Sequence, residues 1–288
     1  MSKKLIKICI ALAIITAFFA SVFFYSIYYA VDHPIITTKT VSHKNIPASL
    51  DDKNIVFFSD IKYNLYMNKE RLDKMIYQIN ATDPDIVIFG GDVFADYKKH
   101  KPDSKDIADL TALLKSIQAP LGKFAVLGDA DLVNEEAKKT VSSILFNSDF
   151  EVITNKKIQI RNGEQEFISL IGLDSLINGV PNYQTPFEGL TNDTYSILVS
   201  HCPDIISSKE INSQYINVFL AGHSLGGQVR LPLFGPLQRM EGAKKYTHGE
   251  YNIHNTKIYV TNGLGTINAD LRLLSRPEIV VLRLEHKK

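Results

Sequence analysis

Five runs of apolar residues each end on a short polar signature: Ser59-Asp60, Gly90-Gly91-Asp92, Gly128-Asp129, Ser200-His201 and Gly222-His223. Carboxylates and imidazoles together form an oxygen and nitrogen ligand set suited to divalent metals. Delivered from several strand ends, they meet along one edge of a sheet, where open α/β folds place their sites. The pattern therefore points to a metal centre assembled from Asp60, Asp92, Asp129, His201 and His223. A rival sits inside the last signature, because Gly222-His223-Ser224-Leu225-Gly226 also fits the nucleophile elbow of serine hydrolases, with Ser224 as nucleophile. That elbow needs a strand, a sharp turn and then a helix. Here Val229-Arg230-Leu231-Pro232 and Gly235-Pro236 follow, which cannot begin one.

The preceding runs, Ile55 to Phe58, Ile86 to Phe89, Phe124 to Leu127, Ile197 to Val199 and Val218 to Leu220, read as buried strands. Helical spacing lies between them: Leu72, Met75, Ile76 and Ile79 behind a cap at Asn68; Ile107, Leu110, Leu114 and Ile117 behind Ser104; Ala137, Val141, Ile144 and Leu145 behind Asn134. Ile158 and Ile160, Asn162-Gly163, then Phe167, Ser169 and Ile171 alternate as a hairpin does. Strand–helix units followed by a strand-rich C-terminal third predict α/β architecture, with two packed sheets and helices outside.

Lys3, Lys4 and Lys7 precede an uncharged stretch from Ile8 to Val31. About 20 apolar residues cross a bilayer, and leading lysines favour a cytoplasmic N-terminus. Residues 1–31 are thus expected to anchor the chain in the cell membrane by a single pass, with the remainder on the extracytoplasmic side. A signal peptide cleaved near Ala20-Ser21 is the alternative. Residues 32–53, polar and carrying Pro34 and Pro47, read as a stalk, and 54–288 as the domain. A net charge of +1 and the lack of a basic face argue against nucleic acid as a partner. Cys9 and Cys202 make no disulfide framework. Lys98-Lys99-His100-Lys101 reads as a solvated loop, with anionic headgroups as a further partner if the tether brings them close.

From Asn54 onward the chain resembles the calcineurin-like metallophosphoesterases, in particular their membrane-anchored bacterial branch. The family pattern runs Asp-x-His, Gly-Asp, Gly-Asn-His-Asp/Glu, a lone His, and Gly-His-x-His. The branch adds a stretch matched by Gly226-Gly227-Gln228-Val229-Arg230-Leu231-Pro232, then Gly263-Leu264-Gly265-Thr266, Arg272 and Pro277-Glu278-Ile279. The resemblance implies an α/β/β/α sandwich and a two-metal phosphoester or pyrophosphate hydrolase. It maps one metal to Asp92, Asp129, His201 and His223, a set in which only the family's Asn has changed, to Asp129. The other metal maps to Asp60, Lys62, Asp92 and Leu225, so both of its private imidazoles are replaced. The histidine that aids the transferred group maps to Ala130. These substitutions predict one divalent ion (manganese, zinc or iron), with Lys62 standing in electrostatically for the second, and weak or absent hydrolysis. A non-catalytic protein binding a phosphorylated ligand or a protein partner is the alternative reading. Arg230 and Arg272 are phosphate-binding candidates, and the tether suggests a phosphorylated envelope lipid or cell-wall precursor as ligand.

Overall fold

The computed structural model describes residues 2–287. Helix α1 (Lys3–Phe24) continues into a π-helical turn, Tyr25–Tyr29. Together they form one element long and apolar enough to cross a membrane, with no residue of its apolar window buried in the protein. Strand β1 (Ile35–His43) follows, then β2 (Asn54–Phe58), α2 (Lys69–Asn80), β3 (Ile86–Phe89), α3 (Ser104–Lys115), β4 (Lys123–Ala125), α4 (Glu135–Asn147) and β5 (Phe150–Val152). The second half supplies β6 (Lys156–Ile160), β7 (Ile168–Gly172), β8 (Ser196–Ser200), β9 (Val218–Ala221), β10 (Arg230–Leu231), β11 (Gly235–Pro236), β12 (Gly249–Ile253), β13 (Thr256–Val260) and β14 (Glu278–His286).

Two six-stranded sheets result, ordered β1-β14-β2-β3-β4-β5 and β12-β13-β9-β8-β7-β6. Strands β2 to β5 are parallel, as are β13, β9, β8 and β7, while β14 and the hairpin strands β6 and β12 run antiparallel to a neighbour. The period of two explains the layering. Ile55, Phe57, Ile86 and Ile88 face the second sheet and pack with Leu170, Ile197, Val199, Val218 and Leu220. Val56, Phe58, Val87 and Phe89 face the other way, against Leu72, Met75 and Ile76 of α2, Leu110 and Leu114 of α3, and Val141 and Ile144 of α4. The two-sheet sandwich is thus the fold expected from the sequence. Its outermost layer over the second sheet is thin, because short 3-10 turns at Pro203–Ser207 and Ser213–Tyr215 cover Leu198 and Phe219 there.

The caps follow the local chemistry. Asn68 and Asn134 accept the backbone N–H groups of Arg71 and Ala137. In α3 the cap is Asp103 instead of Ser104, in a capping box with Asp106. The Asn162-Gly163 hairpin joins β6 to β7, with Ile160 opposite Ile168.

Residues 32–53 do not form the expected stalk. Their middle is β1, which pairs in parallel with β14 from Ile35↔Glu278 to His43↔His286. Although polar, the segment is rich in β-branched residues (Ile35, Ile36, Thr37, Thr38, Thr40, Val41), which suit a half-solvated edge strand. Val41 is buried in the inter-sheet core. The end of the apolar element is also held by the domain. Ser26, Ala30 and Val31 are buried, Arg272 N–H donates to the Ser26 carbonyl at 3.0 Å, and the Arg276 guanidinium lies over the Tyr29 ring.

Candidate metal centre

Each signature lies just past the end of its strand, where the backbone turns sharply. Asp60, Asp92 and His223 adopt positive φ (54°, 65° and 65°), a conformation side chains with Cβ atoms seldom take outside functional turns. Glycine enables the close approach. A Cβ at Gly128 would stand 2.1 Å from Asp92 Oδ1, and one at Gly222 the same distance from Ser59 Oγ. The turns aim their side chains at one point, so that ligand atoms of Asp92, Asp129, His201 and His223 all lie within 4.8 Å of one another. Asp92, His201 and His223 are buried and Asp129 is half-buried.

Backbone carbonyls fix the tautomer of both imidazoles. His201 Nδ1 donates to Gly90 O at 2.7 Å, and His223 Nε2 donates to Glu241 O at 2.6 Å. Such outward donation is how metal-binding histidines are oriented. It leaves His201 Nε2 and His223 Nδ1 facing each other at 3.2 Å. Asp129 Oδ1 sits 3.1 Å from the first and 2.9 Å from the second, and Asp92 Oδ2 is 3.1 Å from His201 Nε2. Asp129 Oδ1 is buried with no hydrogen-bond donor. Lone pairs converging without a proton among them require a cation, so these four residues fit one divalent ion. In the metal-free protein a proton on His201 fills that need. Burial opposes it, but Asp92 and Asp60, together with hydrogen bonds to Asp129 and Asp92, hold the imidazole well above its usual range. Burial would likewise raise Asp129, yet the imidazoles of His201 and His223 facing it keep its carboxyl far below the ordinary value.

The other half of the centre is occupied by a side chain. Lys62, buried and itself at positive φ, pairs tightly with Asp92 Oδ2 and lies 3.6 Å from Asp60 Oδ1. Burial disfavours its charge, but Asp92, Asp60 and Asp129 outweigh burial and hold the ammonium above the usual lysine range. Asp60 turns its other oxygen to Ser59 Oγ (2.6 Å) and the His223 N–H (2.9 Å). Leu225 is buried and offers no ligand atom, and Ala130 contributes only its N–H, donated to Asp92 Oδ1 at 2.8 Å.

Of the phosphate candidates, Arg272 is a correction. It is wholly buried, and its guanidinium donates to the carbonyls of Leu225, Asn262, Gly263, Gly265 and Ser275. It braces the loops under the site, and its one unpaired donor, the Nε–H, is buried. Arg230 is half-exposed and donates to Gly226 O, so it stays at the rim. Ser224 is not an elbow nucleophile: a 3-10 turn with Gly226 at φ 61° replaces the helix, and Ser224 Oγ accepts from the Gly226 N–H. In the loop at 98–101, Lys99 pairs with Asp96 and Lys101 with Glu136.

Sequence reasoning missed Asp131. This buried carboxylate accepts the N–H groups of Asp92, Val93 and Gly128 at 2.8–2.9 Å and locks the Asp92 turn. Burial and the Asp92 charge push it up to about 7. Its sequence signal is the acidic fourth position of the Gly-Asn-His-Asp/Glu pattern, which falls on Asp131. The carbonyls of Gly90 and Glu241 leave no signal, since any residue supplies a carbonyl.

Comparison with known proteins agrees with this geometry. The chain is 32% identical to the uncharacterized metallophosphoesterase YkuE of Bacillus subtilis, over 89% of this chain and 88% of that one. It is 27% identical to the phosphodiesterase YaeI of Escherichia coli, covering 80% of this chain and 81% of that one. A bovine transmembrane protein with a metallophosphoesterase domain is 23% identical, and the match spans 89% of this chain but 58% of that longer protein. Among solved structures, a dimetal phosphatase from Danio rerio shares the fold, with TM-score 0.52 and 12% identity over 82% of this chain and 93% of that one. The sequence model for the calcineurin-like phosphoesterases matches residues 53–229, a span that contains every ligand-bearing strand end described above. With more than half of its length matched in this way, the chain belongs to the calcineurin-like phosphoesterase family.

Proposed function

We propose that this chain is a membrane-anchored phosphoesterase that works with one divalent ion, the place of the second being taken by the Lys62 ammonium. The observation that carries the reading is the position of Lys62 between Asp60 and Asp92, beside a four-residue cradle built for a cation. One divalent ion and one ammonium match the three negative charges of Asp60, Asp92 and Asp129. When bound, a single ion polarises a phosphoryl oxygen or lowers the pKa of a bound water.

The chain's own residues set the limits of the reaction. Asp92, Asp129, His201 and His223 would hold the ion, with the imidazole tautomers fixed by Gly90 O and Glu241 O. Lys62 supplies fixed positive charge but no open coordination position. The Ala130 side chain has no proton to give a leaving group, and an imidazole in that role typically contributes about 10²–10⁴-fold. Slow hydrolysis of phosphodiesters is the expected activity, and the name of the similar YaeI protein favours a diester over a monoester. The absence of an imidazole at positions 62, 130 and 225 also favours a second reading, in which the site binds a phosphorylated ligand without turnover. Lys3, Lys4 and Lys7 ahead of the apolar helix favour an extracytoplasmic domain at the membrane surface, where a phosphorylated envelope lipid or wall precursor is within reach.

The full-length chain in detergent provides the test. Elemental analysis should find about one divalent ion per chain, lost in Asp92→Ala and His223→Ala; two ions would overturn the proposal. Manganese-dependent cleavage of an aryl phosphodiester, abolished by the same variants, supports the one-metal enzyme. Turnover that appears only in the combined Lys62→His, Ala130→His, Leu225→His variant supports the binding reading.

A further inference from the structure

A hairpin of strands β10 and β11 stands beside the membrane-crossing element with its apolar side chains in the open. Leu233 is fully exposed and Phe234 is 83% exposed, with Leu231, Leu237 and Leu274 exposed around them. Water-facing clusters of large apolar side chains mark contacts with a membrane or a partner. The backbone identifies which. Arg230 N–H donates to Leu273 O, so the hairpin pairs with the segment 272–274, and the next N–H in that segment, that of Arg272, donates to Ser26 O. The hairpin is therefore one backbone segment away from the point where the apolar element leaves the domain.

That point lies at the bilayer boundary. The free uncharged run from Ile8 to Phe24, about 26 Å at helical rise, is close to the thickness of a hydrocarbon core. Tyr25, Tyr28 and Tyr29 then form the aromatic belt expected at headgroup depth. Between Val229 and Lys245 the chain carries Arg230, Arg239, Lys244 and Lys245 against the single acid Glu241. Apolar tips flanked by cations suit an anionic lipid surface.

We propose that the Arg230–Pro236 hairpin, with Leu237 and Leu274, dips into the same bilayer face from which the anchor emerges, giving the domain a second, non-covalent contact with lipid. A cleft of about 210 Å³ at the hairpin's root, lined by Leu225, Val229, Leu237 and Met240 among others, lies next to the metal cradle. The inference rests on the anchoring reading above.

The chain has no tryptophan, so a single indole can report its surroundings. Full-length F234W, F18W and F146W are reconstituted separately in phosphatidylcholine–phosphatidylglycerol vesicles with and without brominated acyl chains. Bromine should quench most of the emission of F18W (in α1) and of F234W, and leave F146W, exposed on α4 at the far edge of the first sheet, unchanged. Quenching of F18W but not F234W, with F234W open to aqueous acrylamide, overturns the hairpin contact and keeps the anchor. F234W shielded from acrylamide yet unquenched by bromine overturns it in favour of a second copy or another protein. Quenching of neither removes the anchor and the contact together, and quenching of all three reduces the contact to non-specific adsorption.

Discussion

At the residue scale, the centre is an electrostatic balance in which protons and metal compete for the same lone pairs. His201 gains a proton in the metal-free fold because Asp92, Asp60 and Asp129 surround it. Its folded pKa lies above the unfolded value near 6.5, so its stabilising contribution is complete below that pH and is lost as pH rises through the folded value. A metal ion needs the neutral imidazole, and binding at pH 7 must expel the proton. Metal affinity should therefore rise about tenfold per pH unit while His201 remains protonated in the metal-free chain. Titration calorimetry at pH 7 in two buffers of different ionisation enthalpy should give different binding heats. Equal heats would mean no proton is released. Asp131, raised to about 7 by burial and by Asp92, responds in the same direction, because a cation on Asp92 weakens the repulsion that keeps it protonated. Lys62 responds differently: its ammonium shares Asp92 Oδ2 with His201 Nε2, so metal in the cradle and the ammonium would meet on that one oxygen.

At the scale of elements, the centre depends on strand ends that turn within one or two residues. Gly128 is the tightest of these, since a Cβ there would lie 2.1 Å from Asp92 Oδ1 and 2.6 Å from Asp92 N. Gly128→Ala should still fold, losing about 1–3 kcal/mol in chemical denaturation, the usual cost of overpacking. Displacement of Asp92 should also drop its bound metal well below one per chain by elemental analysis. Normal metal content would show that the turn relaxes without moving Asp92. These turns were legible in the sequence because an apolar run ending in Gly-Asp or Gly-His is a local signal, and strand, turn and ligand all lie within six residues. Asn68 and Asn134 were legible as caps for the same reason. Strand β1 was not, because its polarity hid its β-branched content and its partner β14 lies more than 200 residues away. Arg272 was misread as a phosphate ligand because its charge is local information, whereas the five carbonyls that consume it come from separate turns. Lys62 was legible through the family pattern, which set its cation between Asp60 and Asp92, and the fold brings it to both carboxylates.

For the whole molecule, the consequence is that no free tether separates the apolar helix from the domain. Ser26, Ala30 and Val31 are buried, Arg276 donates to the His33 carbonyl at 2.8 Å, and β1 begins at Ile35 and pairs along its full length with β14. With the apolar helix anchored as proposed, a flexible stalk would let the centre range over the membrane surface, whereas this arrangement would hold it at one height and one orientation. Proteolysis distinguishes the two, because cleavage needs about the local unfolding free energy of the segment cut. Lys39 lies inside β1, and its cleavage requires the β1–β14 ladder to open. Trypsin acting on the full-length chain in vesicles should therefore leave the bond after Lys39 intact under native conditions and cut it only as urea unfolds the domain. Early release of a fragment beginning at Thr40, from otherwise native protein, would restore the stalk. Resistance would mean that Val41, buried between the sheets, and Ser26, bonded to the loop that carries Arg272, couple the membrane element mechanically to the turns that build the metal centre. Substrate would then have to approach along the bilayer plane, because the domain cannot swing away from it.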